Sequence, residues 1–539
     1  MIKQEIKNLI REALDIPPSY EFAVSEPPKN VPFDMATNVA ILLSTGGKTG
    51  QTGRYTVEEI AKKLEKIEVT SDIQPAPQGF LNFNISNKRL HDELRKINTK
   101  KDAYPVMEPL VKERTLIDLV SSNPTGPVHI GHARGAVIGD VLAKIIRHTG
   151  GSVDIEYYVN DSGTQIETLV HSIELRSSEL AGQKVVFPEN HYTGDYVKKI
   201  AGEIMSENNG MLPEDKTMIA RSAIEKILDN IKNDLSDFGV EFNNWVYESG
   251  LHKKDIVGKA VDLLRKNLMI YENEGATWFK SQQAGDEKDR VVVRTDGSYT
   301  YFGADIGYHL YKFERGYEKL INVWGADHHG YVPRLVSAIK SMGYRQGADV
   351  ILYQLVSLLR AGIRVRMSTR AGEYTTLREV MNEIGRDAAR FFLSTRTPSA
   401  HLEFDLEVAK KRSSENPVYY IQYAHTRCCG ILRETEKSGT PQNGVPDLDR
   451  LSQKEERAIM RKIVFYPDCL FACVANLTPH HLPSYLLSLA GLFHRFYDEH
   501  RVISPDPAVT AARLYLVRAV KTVLGNALGL MGISSPERM

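Results

Sequence analysis

Apolar positions fall with different periods in different parts of this 539-residue chain. The opening "MIKQEIKNLIREALD" places Ile2, Ile6, Leu9 and Ala13 on one helical face. "RYTVEEIAKKLEKI" places Ile60, Leu64 and Ile67 likewise, behind a Thr56/Glu59 capping box. "GFLNFNIS" instead alternates Leu81, Phe83 and Ile85 with Phe80, Asn82 and Asn84, the period of a half-buried strand. Residues 1–110 therefore predict a separate α/β unit. From Thr115 the texture changes. "TLIDLV" reads as a short apolar strand. Ala133, Val137, Val141 and Ile145 then recur every four residues as far as His148, Gly150 and Gly151 stop the helix, and "DIEYYV" reads as the next strand. Strand, helix, strand is a βαβ unit and predicts a parallel sheet. "ADIGYHLYKFERGYEKL", "INVW", "GADHHGY" and "PRLVSAIKSMG" predict a second unit, after a charged, mostly helical stretch at about 165–290. After about residue 406 strand patterns nearly vanish. "YYIQYAHTRCCGILRETE", "SQKEERAIMRKIVFY", "PSYLLSLAGLFHRFYDEH" and "ARLYLVRAVKTVLGNALGLMG" predict four helices, the second behind a Ser452/Glu455 capping box.

The expected fold is thus α/β and multidomain: an N-terminal α/β domain (1–110), a doubly wound parallel, Rossmann-like catalytic sheet (111–405) with an insertion, and a C-terminal α-helical bundle (406–539). The length agrees, being too great for one core. Apolar residues (42%) and charged residues (25%) are those of a globular protein. No apolar run approaches the roughly 18 residues of a membrane span, and the first helix lacks a signal-peptide core, so a cytoplasmic location is expected. Among the four cysteines none forms a C-x-x-C pair, which predicts buried thiols. The 68 basic and 68 acidic residues cancel, so any nucleic-acid contact must use local patches.

The chemistry concentrates in "SSNPTGPVHIGHARGAVIGD", a Pro- and Gly-broken loop between strand and helix. A helix start carries unpaired N–H groups and a partial positive charge and favours phosphate. His129 and His132, three apart, share a side of that first turn and can donate to phosphoryl oxygens, while Gly131 lets a flat group approach the backbone. Two zinc ligands or surface histidines would show the same spacing, but no third ligand lies nearby. The loop is neither a P-loop nor G-x-G-x-x-G.

His-Ile-Gly-His after a strand resembles the HIGH signature of class I aminoacyl-tRNA synthetases, and "RVRMSTRAGEYTTL", with Met367-Ser368 at its core, resembles their downstream KMSKS loop. "SSNPTGPVHIGHARG", "VNDSGTQI", "GSYTYFGADIGYHL", "VWGADHHGY", "MSTRAGE" and "ALGLMGISSPERM" together resemble the arginyl-tRNA synthetase family over nearly the whole chain. The resemblance implies ATP-dependent attachment of L-arginine to tRNA(Arg) through an arginyl-adenylate, with release of AMP and pyrophosphate, Mg2+ accompanying the ATP, and no metal held by the protein. It implies that His129, His132, Met367, Ser368 and Arg370 act on the phosphates, and that Gly131 and Gly330 join His129, His132, Met367 and Ser368 around ATP. Arginine falls to Asp305 for the guanidinium, with Tyr301 in the same amino-acid pocket, and to Asp118, Ser121 and Asn123 for the substrate's polar groups, where the Asp118 carboxylate can pair with the α-ammonium, with Asp327 or His328 alongside. A guanidinium calls for such a carboxylate. One departure stands out: Thr369 replaces the second KMSKS lysine, leaving Arg370 as the candidate for its charge. By the same resemblance the N-terminal domain contacts the tRNA elbow and the bundle binds the anticodon, with Tyr419, Tyr420 and Tyr423 as candidates for base stacking or, equally, as core tyrosines. A monomer that needs tRNA before it activates arginine is expected. Three alternatives stay open: another class I synthetase, a non-catalytic RNA-binding relative, and a metal-dependent phosphoesterase, to whose DHH motif "GADHHGY" is similar.

Overall fold

The computed structural model describes residues 1–539 except 29, 45–54, 285, 366–374 and 438–443. Met367, Ser368 and Arg370, with Arg366 and Thr369, lie outside the described residues.

At the centre, among the described residues, five parallel strands form one sheet: β1 (Thr115–Leu119), β2 (Val153–Val159), β3 (Asn244–Tyr247), β4 (Lys319–Gly325) and β5 (Asp349–Tyr353). Their spatial order is β3-β2-β1-β4-β5, so the winding reverses between β1 and β4. Helix α1 (Ile130–His148) follows β1, and α2 (Tyr301–Glu314) precedes β4. The sheet strands are short and apolar, Leu116, Ile117, Leu119, Ile155, Val159, Ile321 and Val323 all being buried, as a sheet covered on both faces requires. α1 carries apolar residues on nearly all sides because it is squeezed between the sheet and the C-terminal helices Tyr466–Ala475 and Pro507–Leu530.

One row across the sheet breaks the apolar rule. Register places Asn322 beside Asp118, Asp118 beside Glu156, and Glu156 beside Asn244. α2 answers this row with Tyr308, Lys312 and Arg315. Lys312 bonds Asp118 (2.7 Å) and Asn322 (3.1 Å), while Tyr308 (2.7 Å) and Arg315 (2.8 Å) bond Glu156.

The stretch expected as a single insertion at about 165–290 is divided by β3, an edge strand of the main sheet. Its four residues, "NWVY", are too few to display a period, which hid it in the sequence. Before β3 stand three helices among the described residues (Thr164–Leu180, Asp195–Glu207, Lys216–Asp237); after it comes a three-stranded antiparallel sheet (Ile270–Asn273, Ala276–Phe279, Arg290–Val293).

In the N-terminal domain the strand Leu81–Ile85 buries Leu81, Phe83 and Ile85 as its alternation predicts, and Thr56 and Glu59 form their capping box. The first helix, Ile2–Leu14, buries Ile2, Ile6, Ile10 and Leu14 rather than Leu9 and Ala13. The strict four-residue repeat of isoleucine sets the face, and Leu9 and Ala13 fall on its half-buried flank. The bundle's Asp468 accepts from the Ile2 and Lys3 amides (2.8 and 3.2 Å), capping that helix from another domain. The C-terminal region from 406 has six α-helices among the described residues, not four: the short Leu406–Lys410 and five of ten residues or more. Pro467 opens Tyr466–Ala475 as a separate element after Lys454–Val464, and the second capping box uses Gln453 and Glu456, one residue on from the expected pair. No helix among the described residues is long and apolar enough to cross a membrane.

Candidate active site

A cavity of about 1020 Å³ opens at the carboxyl ends of β1 and β4, where the strand order reverses. Ligands bind at such a switch point because the loops on its two sides diverge. Its wall brings together Asp118, Ser121, Asn123, His129, Gly131, His132, Tyr301, Asp305, Asp327 and His328, residues spread over two hundred positions of sequence. Gly330, expected around ATP, is exposed in the turn Ala326–Tyr331 and its carbonyl accepts from Arg334 (2.9 Å); its neighbours His329 and Tyr331, with Gly325 and Ala326, line the wall.

At one end stands the amino terminus of α1. Its N-cap is a histidine: His129 Nδ1 accepts from the His132 amide (3.3 Å), which assigns the ring proton to Nε2. The two imidazoles stack with centroids 3.6 Å apart, and a Cβ on Gly131 would stand 2.9 Å from the His129 ring, so glycine is what lets the ring fold back onto the helix. Burial lowers the pKa of both, His132 to about 3 with His129 adding to the effect, so each is neutral at pH 7. His132 Nδ1 is buried without a partner among the described residues. Neutral N–H donors at a helix start suit phosphoryl oxygens. They do not suit Mg2+, which takes oxygen ligands.

At the other end α2 presents Tyr301 and Asp305. Burial pushes Asp305 up to about 6, against the downward pull of Tyr331 and Lys312. The Tyr331 hydroxyl faces it without completing a hydrogen bond. Glu248, which sequence reasoning missed, also acts on Asp305 and Tyr301. Its carboxylate accepts from Tyr158 Oη (2.8 Å), and its helix, Glu248–Lys253, is pinned by Asp161, which accepts from the Ser249 amide (2.9 Å) and hydroxyl (2.6 Å). The signal lay in the pairing of "VNDSG" with "ESG" 88 residues later, which no local pattern reveals. A carboxylate in the cavity wall between Tyr301 and Tyr331, with a second carboxylate acting on it, suits a planar cation.

Asp118, the expected partner of an α-ammonium, is already engaged on both oxygens. Oδ1 accepts from Ser121 (2.7 Å) and Oδ2 from the buried Lys312 (2.7 Å). Burial works to raise its pKa, but Lys312, with the Ser121 hydrogen bond adding to it, holds the carboxylate below its usual range. Between Asp118 and the loop, Val120 (φ 68°) and Ser121 (φ 40°) both lie in the left-handed region. A β-branched residue there is strained by about 1–3 kcal/mol, and such strain persists only where neighbouring contacts enforce it. In the third wall, which sequence reasoning also missed, the first insertion contributes His191–Tyr196, and Tyr196 Oη donates to the Thr125 carbonyl (2.6 Å).

The phosphoesterase-like reading requires Asp327, Asp118 and Asp305 to share a metal. Asp118 is neutralised by Lys312, and among the described residues the one group of three close enough for an ion is Glu455, Glu499 and His500, in the bundle. Far from the cavity, Tyr419 and Tyr423 stack 6.1 Å apart, with Arg427 over Tyr423 and Tyr497. Tyr420 turns instead into the seam against His494 (4.5 Å).

A doubly wound parallel sheet whose first helix opens on His-Ile-Gly-His, with Tyr301 and Asp305 across the switch point, is the arrangement of a class I aminoacyl-tRNA synthetase. Residues 94–407 match the family model "tRNA synthetases class I (R), catalytic domain", residues 1–85 "Arginyl tRNA synthetase N terminal domain", and residues 421–539 "DALR anticodon binding domain". The chain belongs to the arginyl-tRNA synthetases. It is 44% identical to the Arginine--tRNA ligase of Desulfosudis oleivorans over 94% of this chain and 93% of that one, and 41% identical to that of Desulforamulus reducens over 98% and 94%. The solved Thermus thermophilus arginyl-tRNA synthetase shares the fold (TM-score 0.79, 20% identity, all of both chains covered).

Proposed function

We infer that this protein attaches L-arginine to tRNA(Arg) at the expense of ATP. One observation carries the reading: a single cavity holds, at one end, two neutral imidazoles on a helix start and, at the other, the Asp305 carboxylate, its pKa raised by burial, with Tyr301 beside it. The arginine carboxylate attacks the α-phosphate, forming arginyl-adenylate and releasing pyrophosphate. His129, His132 and the α1 amides stabilise charge gathering on the phosphoryl oxygens, with Gly131 giving the nucleotide room. Catalysis is positioning and electrostatics, without a covalent enzyme intermediate. A ribose hydroxyl at the tRNA end then attacks the adenylate carbonyl and releases AMP. Tyr301, Asp305 and Glu248 take the guanidinium; Ser121 and Asn123 take the α-ammonium, and Asp327 and His328 border the adenosine side. Mg2+ belongs with the ATP phosphates, which supply its oxygen ligands. On sequence grounds Met367, Ser368 and Arg370 close over pyrophosphate. We read the protein as a cytoplasmic monomer. The deciding experiment is charging of total tRNA with each labelled amino acid in turn. Arginine alone is expected; acceptance of a different amino acid, or of none, overturns the reading.

Two smaller predictions follow from the geometry. Arginine binds ionised Asp305, and a pKa raised to about 6 means the free enzyme carries the proton below that pH. The kcat/KM for arginine should therefore fall about tenfold per unit below pH 6 and level off above it. A profile flat to pH 5 removes Asp305 from the site. In the bundle, Tyr423 is the exposed member of the stack. Tyr423→Ala should raise the KM for tRNA roughly tenfold with little change in kcat, the worth of one stacked base. Tyr420→Ala should mainly lower thermal stability, because that ring fills the seam against His494.

A further inference from the structure

A serine hydroxyl can meet a ligand as donor or acceptor, and the groups behind Ser121 decide which. His309 Nδ1 lies 2.8 Å from the Asp305 carbonyl, which can only accept, so the ring proton is on Nδ1. His309 Nε2 then accepts from Asn322 Nδ2 (3.1 Å), which turns Asn322 Oδ1 toward Lys312 (3.1 Å). Lys312 has protons only to give, and gives another to Asp118 Oδ2 (2.7 Å) while its Nζ stands 4.0 Å over the Tyr308 ring. Asp118 Oδ1 receives the Ser121 proton (2.7 Å), the Leu119 carbonyl being a more distant 3.5 Å. The Tyr158 amide donates to Ser121 Oγ (3.0 Å). The proton of Ser121 is thus committed, and a bound molecule meets the remaining lone pair in the cavity wall. The same bond to Asp118 holds Ser121 in its left-handed backbone conformation.

We propose that Lys312 is a positioning residue for the amino-acid substrate: through Asp118 it fixes the Ser121 hydroxyl as an acceptor, so that this point of the cavity takes a primary ammonium and turns away a carboxylate or carbonyl. The inference rests on the reading of Ser121 and Asn123 as the site of arginine's α-ammonium. Asp118 is faced from α2 by Tyr301, Asp305, Tyr308 and His309 as well as Lys312, from β2 by Tyr157, and from β4 by Asn322. His309 is kept neutral by burial, so Lys312 is the cation among these groups. Without it, Asp118 is a buried carboxylate that takes up a proton and can donate to Ser121, reversing the bond.

The test measures ATP–pyrophosphate exchange, with cognate tRNA present, against arginine, ATP and pH. Lys312→Met should raise the arginine KM about tenfold or more at pH 7 with ATP KM nearly unchanged, and the defect should fade toward pH 9 as Asp118 re-ionises, a dependence foreign to the parent enzyme. An unchanged arginine KM, or a defect indifferent to pH, overturns the proposal. The double variant Lys312→Met with Asp118→Asn leaves no unpaired buried charge and decides the matter should the single variant fail to fold. Its amide oxygen can still receive the Ser121 proton, so an arginine KM within a few-fold of the parent and no added pH dependence are expected. A loss as large as that of Ser121→Ala overturns the proposal. Ser121→Ala itself separates the two levels. If it leaves arginine KM unchanged, the α-ammonium reading falls; if it impairs arginine while Lys312→Met does not, the positioning role alone falls.

Discussion

Asp305→Asn is expected to fold normally and to lose about 10²–10³-fold in kcat/KM for arginine, within the 2–5 kcal/mol range for truncating one partner of a buried, hydrogen-bonded charge pair. The substitution keeps the shape of the side chain and removes its charge. Glu248 remains, held by Tyr158, so binding weakens without vanishing. The loss should sit in KM for arginine, with ATP KM unaffected, because the guanidinium is remote from the reacting carboxylate and contributes uniformly to ground and transition states. Citrulline, an uncharged isostere of arginine, supplies the control. The preference for arginine over citrulline should shrink by about the factor lost, since citrulline never used the charge. A loss confined to kcat, or an undiminished preference, would place the guanidinium elsewhere.

His129 should give the other large effect, and of a different kind. Its ring does two things: Nδ1 caps α1, and Nε2 carries the proton that we assign to a phosphoryl oxygen of ATP. His129→Asn retains a good cap and shifts the donor, whereas His129→Ala loses both. Each should lower kcat for adenylate formation by about 10²–10³-fold, the typical worth of one donor aimed at developing oxyanion charge, with arginine KM little changed. Only the alanine variant should also lose about 1 kcal/mol of stability, as a lost N-cap does. If the asparagine variant retains parental kcat, His129 is a capping residue and nothing more. Because His129 and His132 are stacked and neutral, their double variant should cost less than the product of the single losses.

Much of this was legible in sequence because the informative signals are local. The alternation of Leu81, Phe83 and Ile85, the four-residue repeat of α1 and the Thr56/Glu59 box each declare themselves within a few residues. The cavity's two ends were nameable for the same reason: His129 and His132, and Tyr301 and Asp305, sit one helical turn apart. What escaped was non-local. β3 is too short for a period. Glu248 owes its place to Asp161, and Asp118 looked like a free carboxylate because its neutralising lysine lies 194 residues away.

The polar row Asn322, Asp118, Glu156 and Asn244 gives α2 an index mark. A helix packed on an apolar sheet can ratchet by a turn, exchanging one set of methyl contacts for another at small cost. Here a one-turn slip would carry Lys312 and Arg315 away from Asp118 and Glu156 and strand buried charge. Leucines across the row would serve cohesion equally well, but they would leave the height of Asp305 above the sheet unspecified. Recognition of a guanidinium by Asp305 needs that height set to a fraction of an ångström, so we read the row as a gauge for the proposed arginine pocket above it.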